Sequence, residues 1–210
     1  QSLAATALHC STEQVLMLST GIIGVQLPME KITKGLREAA ANRQPAGGQD
    51  AARAIMTTDT QPKYLATQIE MSTGIVTIGG IVKGSGMIHP NMATMLAFLT
   101  TDALIPARTL RVLLKTAVGQ SFNRISIDGD TSTSDAVVLL ANGSTGISCA
   151  HGKNQQAFAK ALISLTTALA HLVVRDGEGA TKFISIRVSG ARTQIEAHRV
   201  ANNIATSPLV

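Results

Sequence analysis

Thr94 ends a run whose residue types suit covalent acyl chemistry: Lys83-Gly84-Ser85-Gly86-Met87-Ile88-His89-Pro90-Asn91-Met92-Ala93-Thr94, with Met95-Leu96 following. A threonine hydroxyl is a weak nucleophile until a base takes its proton. Scission of the Ala93–Thr94 peptide bond would supply that base on the same residue. The freed α-amine titrates near about 7.7–8.0 before any environmental shift, so an appreciable neutral fraction exists at neutral pH.

Three other segments, and Lys83 at the head of the same run, hold residues that could serve such a nucleophile. In Ser19-Thr20-Gly21-Ile22-Ile23-Gly24 the Thr20 hydroxyl and the Gly21 N–H could meet a developing oxyanion, because glycine allows close approach. Lys83 could act as a point charge for a substrate carboxylate. Thr57, in Thr57-Thr58-Asp59-Thr60, and Glu178, between Gly177 and Gly179, could contact the rest of a substrate. Each has a plainer structural reading: a strand-to-turn connection, a solvated lysine, a polar helix end and a glycine-capped helix terminus. Other chemistries find less support. There is no Gly-x-Ser-x-Gly elbow and no Gly-Lys-Ser/Thr phosphate loop, and the five histidines are scattered singly, which disfavours a zinc site. Asp128 to Asp135 superficially resembles a calcium loop, but its glycine comes too early and Leu139 stands where the bidentate glutamate belongs.

The elements that must carry these residues are legible in outline. Thr12 to Leu18 reads as a helix end entering a strand. Pro28 suits the start of a helix continued by Ile32, Leu36 and Ala39. Residues 42–49 form a Gly/Pro loop before a short helix, Ala51 to Ile55. Leu65 to Val82 reads as two strands joined near Ser72-Thr73-Gly74, and Thr94 to Leu99 as a third. Pro106 opens a helix with Leu110, Leu113, Leu114 and Ala117 on one face. Ser126 to Asp135 is a polar loop and Ala136 to Ala141 a buried strand. Ala157 to Val174 is the strongest helix, with a stripe of Phe158, Ala161, Leu165, Leu169 and Leu172. Lys182 to Val188 alternates as a strand, and Thr193 to Ala205 is a final helix. Strands interleaved with long helices imply a layered α/β or α+β fold.

Composition narrows the partners. Of 210 residues 45% are apolar but only 2% aromatic, so the core is aliphatic and the stacking platforms of single-strand nucleic-acid binders are missing. The net charge of +5 is dispersed, which fits a solvated surface better than a nucleic-acid or membrane footprint. The apolar run from Phe158 to Val174 is broken by Lys160 and His171 and does not read as membrane-spanning. Cys10 and Cys149 are isolated, and no secretory signal opens the sequence; a reducing, cytoplasmic setting is expected. Gln1 and Ser207-Pro208-Leu209-Val210 read as the ends of an internal fragment.

Taken together, five segments resemble the ornithine acetyltransferase (glutamate N-acetyltransferase, arginine-biosynthesis bifunctional) family. They are Ser19 to Gly24 with Leu27-Pro28-Met29, Ala52 to Thr60, Lys83 to Leu96, Ser126 to Thr133, and Asp176 to Lys182. His89 and Ser134 depart from residues common in that family. The resemblance implies a layered fold of the N-terminal-nucleophile type, a sandwich of sheets flanked by helices. It also implies a precursor cut at Ala93–Thr94, with 1–93 belonging to an α piece and 94–210 to a β piece that stay associated, in a higher oligomer of αβ units. Thr94 would be the nucleophile, Thr20 and Gly21 the oxyanion donors, and Thr57, Lys83, Thr94 and Glu178 the substrate contacts. The implied reaction moves acetyl from N-acetylornithine to glutamate without a cofactor, with acetyl-CoA as an alternative donor. A related aminopeptidase or amidohydrolase, or an inactive folded module, are the alternative readings.

Overall fold

The computed structural model describes residues 1–22, 24–89 and 95–209. The chain forms two compact units, Gln1–Asp50 and Ala51–Val210.

In the first unit, α1 (Ser2–Leu8) packs against α2 (Met29–Ala41). Between them comes a single 3-10 turn, Thr12–Gln14, closed by a capping box in which Gln14 Oε1 accepts from the Ser11 N–H at 3.0 Å. Residues 15–22 pair with no strand among the described residues, so the expected helix-to-strand passage over Thr12 to Leu18 does not form. The capping box opens the turn at Ser11, and Val15, already extended, ends it. Pro28 sits immediately before α2, where its missing N–H costs nothing, and Ile32 and Leu36 form that helix's half-buried face. Ala39, expected on the same face, is exposed.

Helix α3 (Gly48–Ala54) starts inside the expected loop and leads into the second unit. There β1 (Lys63–Met71), β2 (Gly74–Lys83), β3 (Leu96–Thr101) and β4 (Ala136–Ala141) make one sheet in sequence order. β1 and β2 form a hairpin with Met71 opposite Gly74, and β2 and β3 are also antiparallel. β3 and β4 are parallel, which requires a crossover, supplied by α4 (Ala107–Gln120).

Helix α5 (Gly152–Arg175) lies on β1 and β2 and against α4. Its composition and 24-residue length would suffice to cross a bilayer. Here, however, Phe158, Leu162, Leu165, Leu169 and Val173 are buried in the protein core, a stripe slightly rotated from the expected one. Gly80 lets this helix come close: a Cβ there would stand 2.5 Å from Leu99 Cδ2 and 2.9 Å from Leu169 Cδ1. The strands' period-two alternation puts Val76, Ile78, Val82, Ala97 and Leu99 on the α5 face. On the other face Ile81 and Phe98 are half-buried and Tyr64, Ile75 and Leu140 exposed, leaving room for a second layer.

The expected strand over Lys182 to Val188 is corrected. The segment joins no ladder among the described residues. Its anchor is a side chain instead: the Phe183 ring takes the Arg175 guanidinium 4.6 Å from its centroid and the His171 ring edge-on at 5.2 Å. Helix α6 (Gln194–Ala205) follows, capped by Thr193, whose hydroxyl accepts from the Glu196 N–H.

Candidate active site

One end of the sheet collects the polar chemistry. Lys63 begins β1 opposite Val82, while Lys83 ends β2 opposite Leu96, which in turn pairs with Ala136 at the start of β4. Adjacent residues of a strand face opposite ways, so Lys63, opposite Val82, starts from the α5 face and Lys83 from the other, and the 57–60 segment at the sheet's end serves both.

Lys63 is almost fully buried between two carboxylates. Its Nζ donates to Asp59 Oδ1 at 2.6 Å and to Asp176 Oδ2, at the C-terminus of α5, at 2.5 Å. Asp176 also accepts from the N–H (3.0 Å) and hydroxyl of Thr60. Asp59 accepts from the N–H groups of Gly84 (2.7 Å) and Thr57 (3.1 Å). Burial pushes both carboxyl pKa values up, but these hydrogen bonds and the Lys63 ammonium outweigh it, leaving both below the ordinary range. The cluster therefore ties the 57–60 segment, the start of β1, the end of β2 and the end of α5 to one buried cation.

Lys83 is equally buried, and its Nζ donates to Thr57 Oγ1 at 2.8 Å. Burial holds its ammonium below the usual lysine range; Asp59 and Asp135 act the other way and Lys63 reinforces the depression. Next to it, the hydroxyls of Thr58 and buried Ser85 are 2.7 Å apart. Ser85 C=O accepts from the Glu178 N–H at 2.6 Å. Gly86 then makes room for Glu178: a Cβ at residue 86 would stand 2.9 Å from Glu178 Cδ and Oε2. Thr57, Lys83 and Glu178, widely spaced in sequence, thus converge on one loop.

That loop is bent and pinned. Gly84 has φ 147°, a region that favours glycine, and Met87 has φ 55°, uncommon for a residue with a side chain. Asp128 holds the bend by accepting from the N–H groups of Met87 and Ile88, the latter at 3.0 Å. The Ile127 N–H donates to Ile88 C=O at 2.8 Å, and His89 Nδ1 lies 3.2 Å from Ser126 Oγ. The acidic 126–135 segment, which looks like an ion loop in sequence, here serves as a brace for the 84–89 segment.

Thr20 and Gly21 belong to the first unit; Thr20 is half-buried, Gly21 exposed, and Leu27 Cδ2 is 3.8 Å from a Cβ built on Gly21. Ala93 and Thr94, the expected scission point and nucleophile, lie outside the described residues, but Met95, next in sequence, is buried at the foot of β3. Sequence reasoning missed Lys63 and the roles of Asp59, Asp128, Asp135 and Asp176. Lys63 follows Gln61-Pro62 with no motif around it, and only the fold brings it to Asp176, 113 positions away. A cavity of about 170 Å³, lined by Arg124, Ser126, His171, Phe183 and His198 among others, includes neither lysine nor its partners but shares Ser126 with the brace on the 84–89 segment.

The model of the ArgJ family matches residues 1–210. The chain belongs to the ArgJ family. It is 51% identical over 210 residues to the arginine biosynthesis bifunctional protein ArgJ of Symbiobacterium thermophilum, covering 99% of this chain and 52% of that protein. It is 47% identical to the mitochondrial ArgJ protein of Dictyostelium discoideum, covering 100% and 48% respectively. The crystal structure of ArgJ from Bacillus halodurans aligns with a TM-score of 0.52 at 42% identity over 54% of each chain, in keeping with the α/β class. The chain spans about half the length of the curated relatives it matches. The five segments that resemble the family all fall inside the matched span, and three of them, 52–60, 83–96 and 176–182, supply the partners of Lys63 together with Thr57 and Lys83, while Lys63 itself lies outside them.

Proposed function

We propose that the whole protein is a self-cleaving threonine acetyltransferase of arginine biosynthesis, moving acetyl from N-acetylornithine to glutamate. One observation carries the amino-acid-binding part of this reading. Lys83 presents a buried cation beside the Thr57 hydroxyl, in register with Leu96, two residues after Thr94. A desolvated ammonium at that place suits the α-carboxylate common to donor and acceptor. Glu178, exposed on the rim of the same loop, suits the donor's ammonium.

In the maturation step Thr94 Oγ attacks the Ala93 carbonyl carbon, the C–N bond breaks, and the resulting ester is hydrolysed by water to a free carboxylate on Ala93 and a free amine on Thr94. The pieces 1–93 and 94–210 stay together because the β2–β3 ladder, from Ile78↔Thr101 to Lys83↔Leu96, spans the break.

In transfer, the α-amine takes the Thr94 hydroxyl proton as Oγ attacks the acetyl carbonyl. Thr20 and Gly21 stabilise the tetrahedral oxyanion. The ammonium returns its proton to the departing amine of ornithine, leaving acetyl on Thr94 Oγ. Glutamate's amine then attacks this ester, giving N-acetylglutamate and the free hydroxyl, a ping-pong sequence. No cofactor is needed; acetyl-CoA is an alternative donor. The setting is cytoplasmic, and the αβ units assemble further.

Mass spectrometry of the full-length protein tests this reading: a chain beginning at Thr94 is expected, and Thr94→Ala abolishes cleavage and transfer together. An intact chain with full transferase activity sinks the nucleophile assignment. Acetylornithine consumption that does not depend on glutamate identifies a hydrolase instead.

A further inference from the structure

Lys83 ends β2 and Glu178 lies just beyond α5, and each is tied to one carboxylate of the buried cluster. Asp59 serves the first. Its Oδ2 accepts from the N–H of Thr57, the residue whose hydroxyl receives Lys83 Nζ, and its Oδ1 from the N–H of Gly84, next after Lys83. Asp176 serves the second. It stands two residues before Glu178, in a turn where the Gly177 N–H donates to Val174 C=O at 3.2 Å. Gly177 lets this turn sit against Ile127, because a Cβ there would stand 3.0 Å from Ile127 Cγ2. The Glu178 N–H then donates to Ser85 C=O. Lys63 Nζ joins the two carboxylates, both of them buried.

We propose that Asp59 and Asp176, joined through Lys63, are positioning residues that fix how far Glu178 stands from Lys83, and that this separation selects the length of the donor amino acid. The inference rests on the reading of Lys83 and Glu178 as substrate contacts. In that reading the donor carries a carboxylate at one end and an ammonium at the other. Two opposite charges at a set distance match one chain length, and one methylene more or fewer displaces a charge from its partner. Charge-assisted hydrogen bonds suit a spacer of this kind, since they are short and directional where aliphatic packing lets neighbours slide.

Donor and acceptor use the spacer differently. Glutamate has the α-carboxylate that Lys83 meets but no far ammonium for Glu178. The Asp59 side of the cluster therefore serves both half-reactions, and the Asp176 side the donor's.

The test uses the full-length protein, with kcat/KM measured separately for donor and acceptor. Asp176→Asn puts a single carbonyl oxygen where two carboxylate oxygens meet Thr60 and Lys63, so an N–H turns toward one of them, while Asp59 keeps Thr57 and Gly84. It should lower kcat/KM for N-acetylornithine about 10-fold or more and that for glutamate less than about 3-fold. The preference for N-acetylornithine over α-N-acetyl-lysine and α-N-acetyl-2,4-diaminobutyrate should narrow about 10-fold, within the range that one methylene supplies. Asp59→Asn should lower both constants. Thr60→Val, at an exposed position, removes only the hydroxyl on Asp176; it should narrow the preference by a smaller factor, and Thr60→Ser should recover it. If Asp176→Asn does not fold, Thr60→Val decides. A merely structural cluster would lower both constants together and leave the preference alone. Equal losses in Asp176→Asn, a loss confined to the donor in Asp59→Asn, or an unchanged preference in the folded variants overturns the inference. If Lys83→Ala and Glu178→Gln leave the donor's kcat/KM at the wild-type value, the substrate-contact reading itself fails, whatever the cluster variants do.

Discussion

In Gln1–Asp50 only Ala5 is buried among the described residues, and Leu16, Met17, Ile22, Val25, Leu27 and Met29 are exposed. In Ala51–Val210 an aliphatic core closes under α4 and α5, and the end of the sheet above it encloses Lys63 and Lys83. The two units carry the two halves of the proposed chemistry, oxyanion donors in the first and substrate contacts in the second. The difference teaches that this machinery is supported unequally. Lys83 donates to Thr57, whose N–H in turn donates to Asp59 of the Lys63 cluster, whereas no hydrogen bond to the Thr20 hydroxyl exists among the described residues. A group that must hold position within tenths of an ångström needs such a network or an equivalent contact from a part of the protein beyond this chain.

Substitutions should separate the units. The largest effect is expected at Lys63: Lys63→Met leaves Asp59 and Asp176 facing each other without their cation, and should cost about 3–5 kcal/mol in equilibrium denaturation. The same pair sets the acid limit of the second unit. Both carboxyl pKa values are depressed on folding, so their contribution is complete above the unfolded-state carboxylate pKa and is lost as pH falls through the lower folded values. Lys63→Met should therefore flatten the acid limb of stability against pH, and an unchanged limb would show that the cluster is not what holds this end of the sheet.

Next comes Thr20, where the comparison predicts function without stability. In the full-length protein Thr20→Ala should lower kcat by about 10²–10³-fold with KM little changed. Thermal unfolding of the same variant should match wild type. A fall in stability comparable to that of Lys63→Met would mean that Thr20 is structural.

Smaller still is Gly80→Ala, which drives a methyl into Leu99 and Leu169 and should cost about 1–3 kcal/mol by overpacking. The smallest effect belongs to the first unit: Val25→Ser, at an exposed position, should change the stability of this chain by no more than about 0.5 kcal/mol. A larger loss in the full-length protein than in this chain would show that another part of the protein covers it.

Local pattern made much of this legible. The hairpin of β1 and β2, the strand at Ala136, the helix after Pro106 and the apolar stripe of α5 all follow from period and turn residues that act over a few positions. The pattern failed where pairing decides. Lys182 to Val188 alternates like a strand, but a strand exists only with a partner, and Arg175 and His171 hold Phe183 in another way. Thr12 to Leu18 failed in the same way, because the residues after the short turn pair with no strand among the described residues. In the site, Thr57, Lys83 and Glu178 stood out as residue types and by their resemblance to a family, whereas Lys63 did not. Its importance comes from a neighbour 113 positions away in sequence.

By itself the sequence determined the α/β class, the order of most elements, the family and the residue types available for acyl transfer, since these rest on periodicity, turn chemistry and five ordered segments. Tertiary structure alone decided which charges are buried and what they face. It put Asp59 and Asp176 on either side of Lys63 and seated Lys83 on Thr57. The reason is physical: desolvation and Coulomb energy depend on distance through space, and only folding makes residues far apart in the chain close.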